Sequence, residues 1–286
     1  MKFVTVEKMQ KLACYVPKVA VLCILGLTVS GKSYAQTSAY YIIAGDDHIV
    51  NVVQGGFLQN TFVVPGSGGT ASYPIAITNS VWLGTRNSSG SNEFTLGGVP
   101  TGNTGTGSAD LDQLLDGTTD GRGNNYGVQC CTSNGINNIT KANFDWSGQS
   151  ALFAVPNNEQ GLGIAFDTLT NHLFVGTFSG NLFELGTDGT LYNTFTPGKA
   201  LSSLAYEQAT DTLWSADNGG NTIHQISTTG VALQDIVFPD ITFGNNFGGE
   251  MAVAGRSSVP EPGVATLAIG GLVTLSGLGF YRRRRK

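Results

Sequence analysis

The strongest constraint on this chain is a unit of roughly forty residues that recurs along it. One copy runs through Gly163-Ile164-Ala165-Phe166, Leu173-Phe174-Val175-Gly176-Thr177, Gly180-Asn181-Leu182-Phe183-Glu184-Leu185 and Asp188-Gly189-Thr190. The next runs through Ser203-Leu204-Ala205-Tyr206, Leu213-Trp214-Ser215-Ala216, Gly220-Asn221-Thr222-Ile223 and Thr229-Gly230. Each reads as three or four short strands joined by turns. Ile75-Ala76-Ile77 and Val81-Trp82-Leu83-Gly84-Thr85 restate the first half, and a more diverged unit extends from Asp116 to Val155.

A shift of 133 residues lays His48-Ile49-Val50 on Asn181-Leu182-Phe183 and Asn60-Thr61-Phe62 on Asn193-Thr194-Phe195 without a gap. The first copy therefore starts midway through a unit. Glu250-Met251-Ala252-Val253-Ala254 resembles its missing opening strand, so the two ends are expected to share one blade and close a ring. Counting that shared unit with those starting near residues 75, 115, 161 and 203 predicts an all-β β-propeller of about five blades. A β-sandwich is the rival, and it makes the period a coincidence. Forty glycines and apolar runs of a few residues between turn signals agree with strands rather than helices. Stacked blades bury both sheet faces, so Phe166, Tyr206, Phe174, Trp214 and Trp82 are expected between them. Trp146, least clearly placed in the repeat, is the aromatic expected to be exposed.

The two ends of the chain have a different character. Lys2, Lys8, Lys11 and Lys18 precede an apolar run from Val19 to Val29, and Ser33-Tyr34-Ala35 puts small residues at the two positions a signal peptidase reads. Residues 1–35 are thus expected to be a cleaved signal helix, with the mature chain starting at Gln36 and the exported domain covering 36–258. At the other end, Val259-Pro260-Glu261-Pro262-Gly263 leads into an apolar run and then Arg282-Arg283-Arg284-Arg285-Lys286. Gly263 to Tyr281 is 19 residues without a charge. As a helix it spans roughly 28 Å, one bilayer crossing, with the basic cluster held on the cytoplasmic side.

Residues 259–286, in this order of Pro-Glu-Pro box, single apolar helix and arginine cluster, resemble the PEP-CTERM sorting tail of Gram-negative bacteria. The resemblance implies processing near Pro260-Glu261-Pro262 by an exosortase, a membrane-embedded transpeptidase, and a link to exopolysaccharide and biofilm. The proline pair keeps the backbone extended at the membrane surface, open to such an enzyme. An ordinary C-terminal anchor with a proline linker is the alternative.

Removing both ends changes the charge. Of 15 Lys and Arg, only Arg86, Arg122, Lys141, Lys199 and Arg256 remain, whereas of 20 Asp and Glu only Glu7 and Glu261 are lost, so the exported part has 18 acids against 5 bases, a net of −13. A surface of that sign repels phosphate backbones and excludes nucleic acid as a partner. It also makes calcium the natural counterion. Asp110, Asp112, Asp116 and Asp120, with Asn124 and Asn125, gather oxygen ligands over a short stretch, though without EF-hand spacing. Asp116-Gly117 and Asp120-Gly121 serve equally as turn formers. No cofactor is otherwise implied.

A nucleophile elbow and a His-Glu-x-x-His motif are both absent, and His48, His172 and His224 are the only imidazoles. Their places in the repeat suit solvated turn or outward-facing residues. Cys130 and Cys131 are the thiols left after export, open to a vicinal disulfide, to two half-buried thiols or to pairing with another chain. Two functional classes follow: a non-catalytic surface or matrix protein, and a secreted lactonase-like or lyase-like enzyme with a metal or acidic site in the channel. The position of Asp217 and Asn218 relative to the channel discriminates between them.

Overall fold

The computed structural model describes residues 38–44, 48–64, 73–86, 90–106 and 113–252. Twenty strands form five sheets of four. One sheet combines β20 (Asn246–Met251), β1 (Tyr40–Ala44), β2 (Ile49–Gln54) and β3 (Phe57–Val63). The second is β4 (Ile75–Ile77), β5 (Val81–Gly84), β6 (Ser91–Phe94) and β7 (Pro100–Gly105), and the third β8 (Leu114–Thr119), β9 (Asn124–Gln129), β10 (Asn138–Asn143) and β11 (Ser150–Ala154). The fourth is β12 (Gly161–Asp167), β13 (His172–Thr177), β14 (Leu182–Gly186) and β15 (Leu191–Phe195), and the fifth β16 (Ser202–Glu207), β17 (Thr212–Ala216), β18 (Thr222–Ser227) and β19 (Ala232–Val237).

All pairings are antiparallel, and the first strand of each unit lies innermost, against the first strands of other units. The fold is a five-bladed β-propeller. The ring closes as the repeat predicts: Tyr40 pairs with Met251 and Ile42 with Gly249, so the last strand supplies the inner strand of the first blade. That strand begins at Asn246, earlier than the Glu250 start read from the sequence, because Asn246-Phe247-Gly248-Gly249 carries little apolar pattern to announce it.

Burial falls from axis to rim. Every residue of β12 and β16 is buried, whereas β15 is exposed along almost its whole length. Between blades, Tyr126 stacks on Phe166 with ring centroids 5.7 Å apart, and Phe174 shares a cluster with Tyr206 and Leu213. Trp214 packs against Tyr40 and Ile42 of the closing blade. Each such side chain contributes about 1.5–3 kcal/mol by leaving water. Trp146 corrects the sequence expectation. Only 1% exposed, it packs on Trp82 and donates its indole N–H to the Trp82 carbonyl at 3.3 Å, filling the interface between the second and third blades.

No helix among the described residues is long and apolar enough to cross a membrane. The signal residues Ser33, Ala35 and Gln36 and the tail residues Val259, Pro260, Glu261, Pro262, Gly263, Arg282, Arg283, Arg284 and Arg285 lie outside the described residues.

Candidate functional site at the propeller axis

Four of the five inner strands meet at one carboxyl group. Asp116 of β8 is fully buried, and each of its oxygens accepts two backbone N–H groups. Oδ1 accepts from Gly117 at 2.8 Å and Gly249 at 2.8 Å, and Oδ2 from Ile164 at 2.9 Å and Leu204 at 3.0 Å. One side chain thus ties together four of the five inner strands. Burial raises its pKa well above the usual carboxylate value, the Gly249, Ile164 and Gly117 N–H groups oppose that rise, and the nearby Glu250 adds to it. Close approach at the axis needs the glycines around it: a Cβ on Gly249 would lie 2.3 Å from the Ser203 carbonyl oxygen.

This placement corrects the reading of Asp116-Gly117 as a turn. The pair is mid-strand, and Gly117 is required because a Cβ there would lie 2.3 Å from the Trp146 ring. Asp120-Gly121 is a turn as predicted, with Asp120 Oδ1 accepting from the N–H groups of Arg122 and Asn124. Asp110 and Asp112 lie outside the described residues. Asp116 and Asp120 are engaged separately, the first by four backbone donors and the second by its own turn. Among the described residues no group of three or more His, Cys, Asp or Glu is arranged to hold a metal ion.

Above Asp116, at the end where the inner strands finish, the axis opens into a cavity of about 60 Å³. Its lining includes Glu250, Thr119, Thr168, Phe166, Tyr206 and Ser38. Glu250 is 5% exposed and accepts N–H groups from Met251 at 3.0 Å and Thr119 at 3.2 Å. Burial pushes its pKa to about 8, against partial relief from hydrogen bonds with Thr118, Met251 and Thr119. The Thr168 hydroxyl is buried without a partner. Two more acids end inner strands here and are spoken for: Asp167 accepts from Leu169 N–H and the Thr170 hydroxyl, and Glu207 from Ser38 N–H and the Trp214 indole. Sequence reasoning missed Glu250 as a site residue. Its signal was its position in the closing strand, which a ring places beside β8.

At the opposite mouth the described residues include an apolar cluster, with the Arg86 guanidinium 5.5 Å from the Tyr73 ring. Tyr73, Leu115, Cys130 and Leu162 pack there with Phe247, which meets Tyr73 edge-on at 5.3 Å. Cys130 and Cys131 form the vicinal disulfide, the first buried and the second exposed. Asp217, in the β17–β18 loop, turns to His224 instead of the axis. His224 Nε2 lies 2.9 Å from Asp217 and Nδ1 2.8 Å from Asp235, which also accepts from Lys199 at 2.6 Å. The expectation that His224 faces outward into solvent is therefore wrong, since it is 6% exposed between two carboxylates. His172 opens β13 rather than sitting in the turn before it, bonds to Glu184 at 2.7 Å and stacks on Tyr192. His48 lies in the turn before β2, as expected.

No known protein family and no curated protein matches the chain. Among solved structures it is similar to a chain of a nidogen/laminin complex, at 12% identity and a TM-score of 0.50, covering 75% of this chain and 85% of that one. It is also similar to a protein of unknown function from Bacteroides caccae (14% identity, TM-score 0.42, covering 72% and 75%). A streptogramin B lyase matches at 18% identity and a TM-score of 0.42, covering 70% and 60%. These likenesses are of fold.

Proposed function

We propose that this chain is an exported, non-catalytic surface or matrix protein, delivered by its signal peptide and sorted through its C-terminal tail by an exosortase-type enzyme. The observation that carries the reading is where the ring closes. Ala252 donates its backbone N–H to the Ala39 carbonyl at 2.9 Å, so the chain enters and leaves the propeller side by side at one mouth. Only residues 253–258 separate that point from Val259, a span of about 20 Å when extended. A tail that crosses the membrane therefore sets this mouth toward the bilayer and turns the opposite mouth, with the disulfide, outward. Release by the processing enzyme then passes the acidic propeller to the envelope surface or exopolysaccharide.

The role of Asp116 supports the same reading. It holds blades together through backbone donors and has no lone pair directed at a substrate. Mass spectrometry of the protein from its native envelope and medium, with and without the processing enzyme, tests the proposal. A C-terminus near Pro262 that depends on the enzyme is expected, and intact Lys286 in both strains would overturn it.

A further inference from the structure

We propose that the cavity over Asp116 is a binding site for a primary ammonium group, with Glu250 as its counter-charge. The inference goes beyond the sorting reading and stands whether or not the tail is cut.

The argument begins with supply and demand of hydrogen-bonding groups. Among the described lining residues Glu250 is the one carboxyl, and none is Lys, Arg or His. The Thr168 hydroxyl oxygen, also at the lining, is buried and has no partner, so it offers an acceptor. Phe166 and Tyr206 add aromatic walls, which favour a cation. About 60 Å³ holds roughly four to six water-sized groups, enough for an alkylammonium head and too little for a sugar ring. Outside the cavity, an exported part of net charge −13 raises the local concentration of cations.

The protons follow from the surroundings. Glu250 shares its environment with Asp116 on β8 and with the Tyr40 phenol on β1, whose hydroxyl donates to the Ser203 carbonyl. Asp167 on β12 and Glu207 on β16 flank the mouth and are bonded to their own turns and to Ser38 and Trp214. Without a bound cation, burial keeps Glu250 protonated to about pH 8. An ammonium ion needs the carboxylate, so binding near neutral pH releases one proton. A ligand that only accepts hydrogen bonds gives the reverse, because it uses the protonated carboxyl as donor.

Methylammonium chloride titrated into full-length protein in neutral detergent, against sodium chloride at equal ionic strength, separates these cases. A carboxyl of pKa about 8 goes from about one-tenth ionised at pH 7 to about nine-tenths at pH 9, whereas an alkylammonium stays charged throughout. Binding about tenfold tighter at pH 9, with proton release at pH 7, is expected. Equal affinity at both values, tighter binding at pH 7, or no binding at either overturns the proposal. Glu250→Gln should abolish binding and Thr168→Val should weaken it several-fold, with tryptophan fluorescence confirming the fold; full affinity in Glu250→Gln also overturns it. A linear alkylamine should compete with methylammonium, and a glucosamine oligomer, whose ammonium sits on a ring too large for the cavity, should not; competition by the oligomer or none by the alkylamine overturns the proposal.

Discussion

A carboxylate that accepts four backbone N–H groups cannot be exchanged for its amide without conflict. In Asp116→Asn the new NH2 must face a pair of N–H donors, either those of Ile164 and Leu204 or those of Gly117 and Gly249. Two buried donors then lose their acceptor. We expect a loss of about 2–5 kcal/mol in urea denaturation, and a loss below about 1 kcal/mol would show that the axis does not depend on these four acceptor contacts. Glu250 makes the stability depend on pH. Its folded pKa of about 8 lies above the ordinary 4.5, so between those values the folded state binds a proton that the unfolded state does not. Its contribution to stability is fully present below about pH 4.5 and is lost as pH rises to about 8, with a slope of up to about 1.4 kcal/mol per unit. Denaturation at pH 5 and pH 8 should show that decline in the native protein and a flatter profile in Glu250→Gln.

At the scale of strands, the inner ring and the outer edges obey different limits. Gly249→Ala puts a methyl group 2.3 Å from the Ser203 carbonyl, whereas Gly219→Ala meets no atom within 4 Å and strains only its φ of +72°. The first should cost well over 2 kcal/mol and the second about 1 kcal/mol in thermal or urea unfolding. The repeat made the strands legible because each copy restates the same apolar spacing, and the shift that aligns Asn60-Thr61-Phe62 with Asn193-Thr194-Phe195 matches two outer strands. What the repeat hid lies between copies. Asp116-Gly117 has the local chemistry of a turn, and only the ring brings Gly249, Ile164 and Leu204 to it. Trp146 follows the end of a strand, where local pattern favours exposure, yet the neighbouring blade supplies Trp82 as its partner. Glu250 was read as part of a closing strand and not as a cavity wall for the same reason.

For the whole molecule, the ring has one seam. Tyr40–Ala44 depends on Asn246–Met251 for its inner neighbour, and about 200 residues of chain separate the two. A chain ending at Asn245 keeps four complete sheets and exposes the Tyr-Tyr-Ile-Ile-Ala edge of the fifth. It also loses the Gly249 donor to Asp116. We expect such a chain to unfold without a sharp transition and to self-associate in sedimentation, while a chain ending at Ala252 remains monodisperse. If the tail tethers the propeller as proposed, a dye on a cysteine introduced at Gly121 should be quenched by lipid-borne quenchers and one at Gly135 should not, because antiparallel strands put these two loops at opposite mouths. Equal quenching at both would remove the proposed orientation.

The seam also sets a clock. Because the strand that completes the circle follows the other nineteen along the chain, four blades are made while the first waits with an apolar border unprotected. A ribosome that stalls before residue 246 leaves a product marked by that border. Completeness of synthesis is thereby written into the shape of the molecule, where a chaperone or protease that reads exposed strand edges can sort finished copies from unfinished ones.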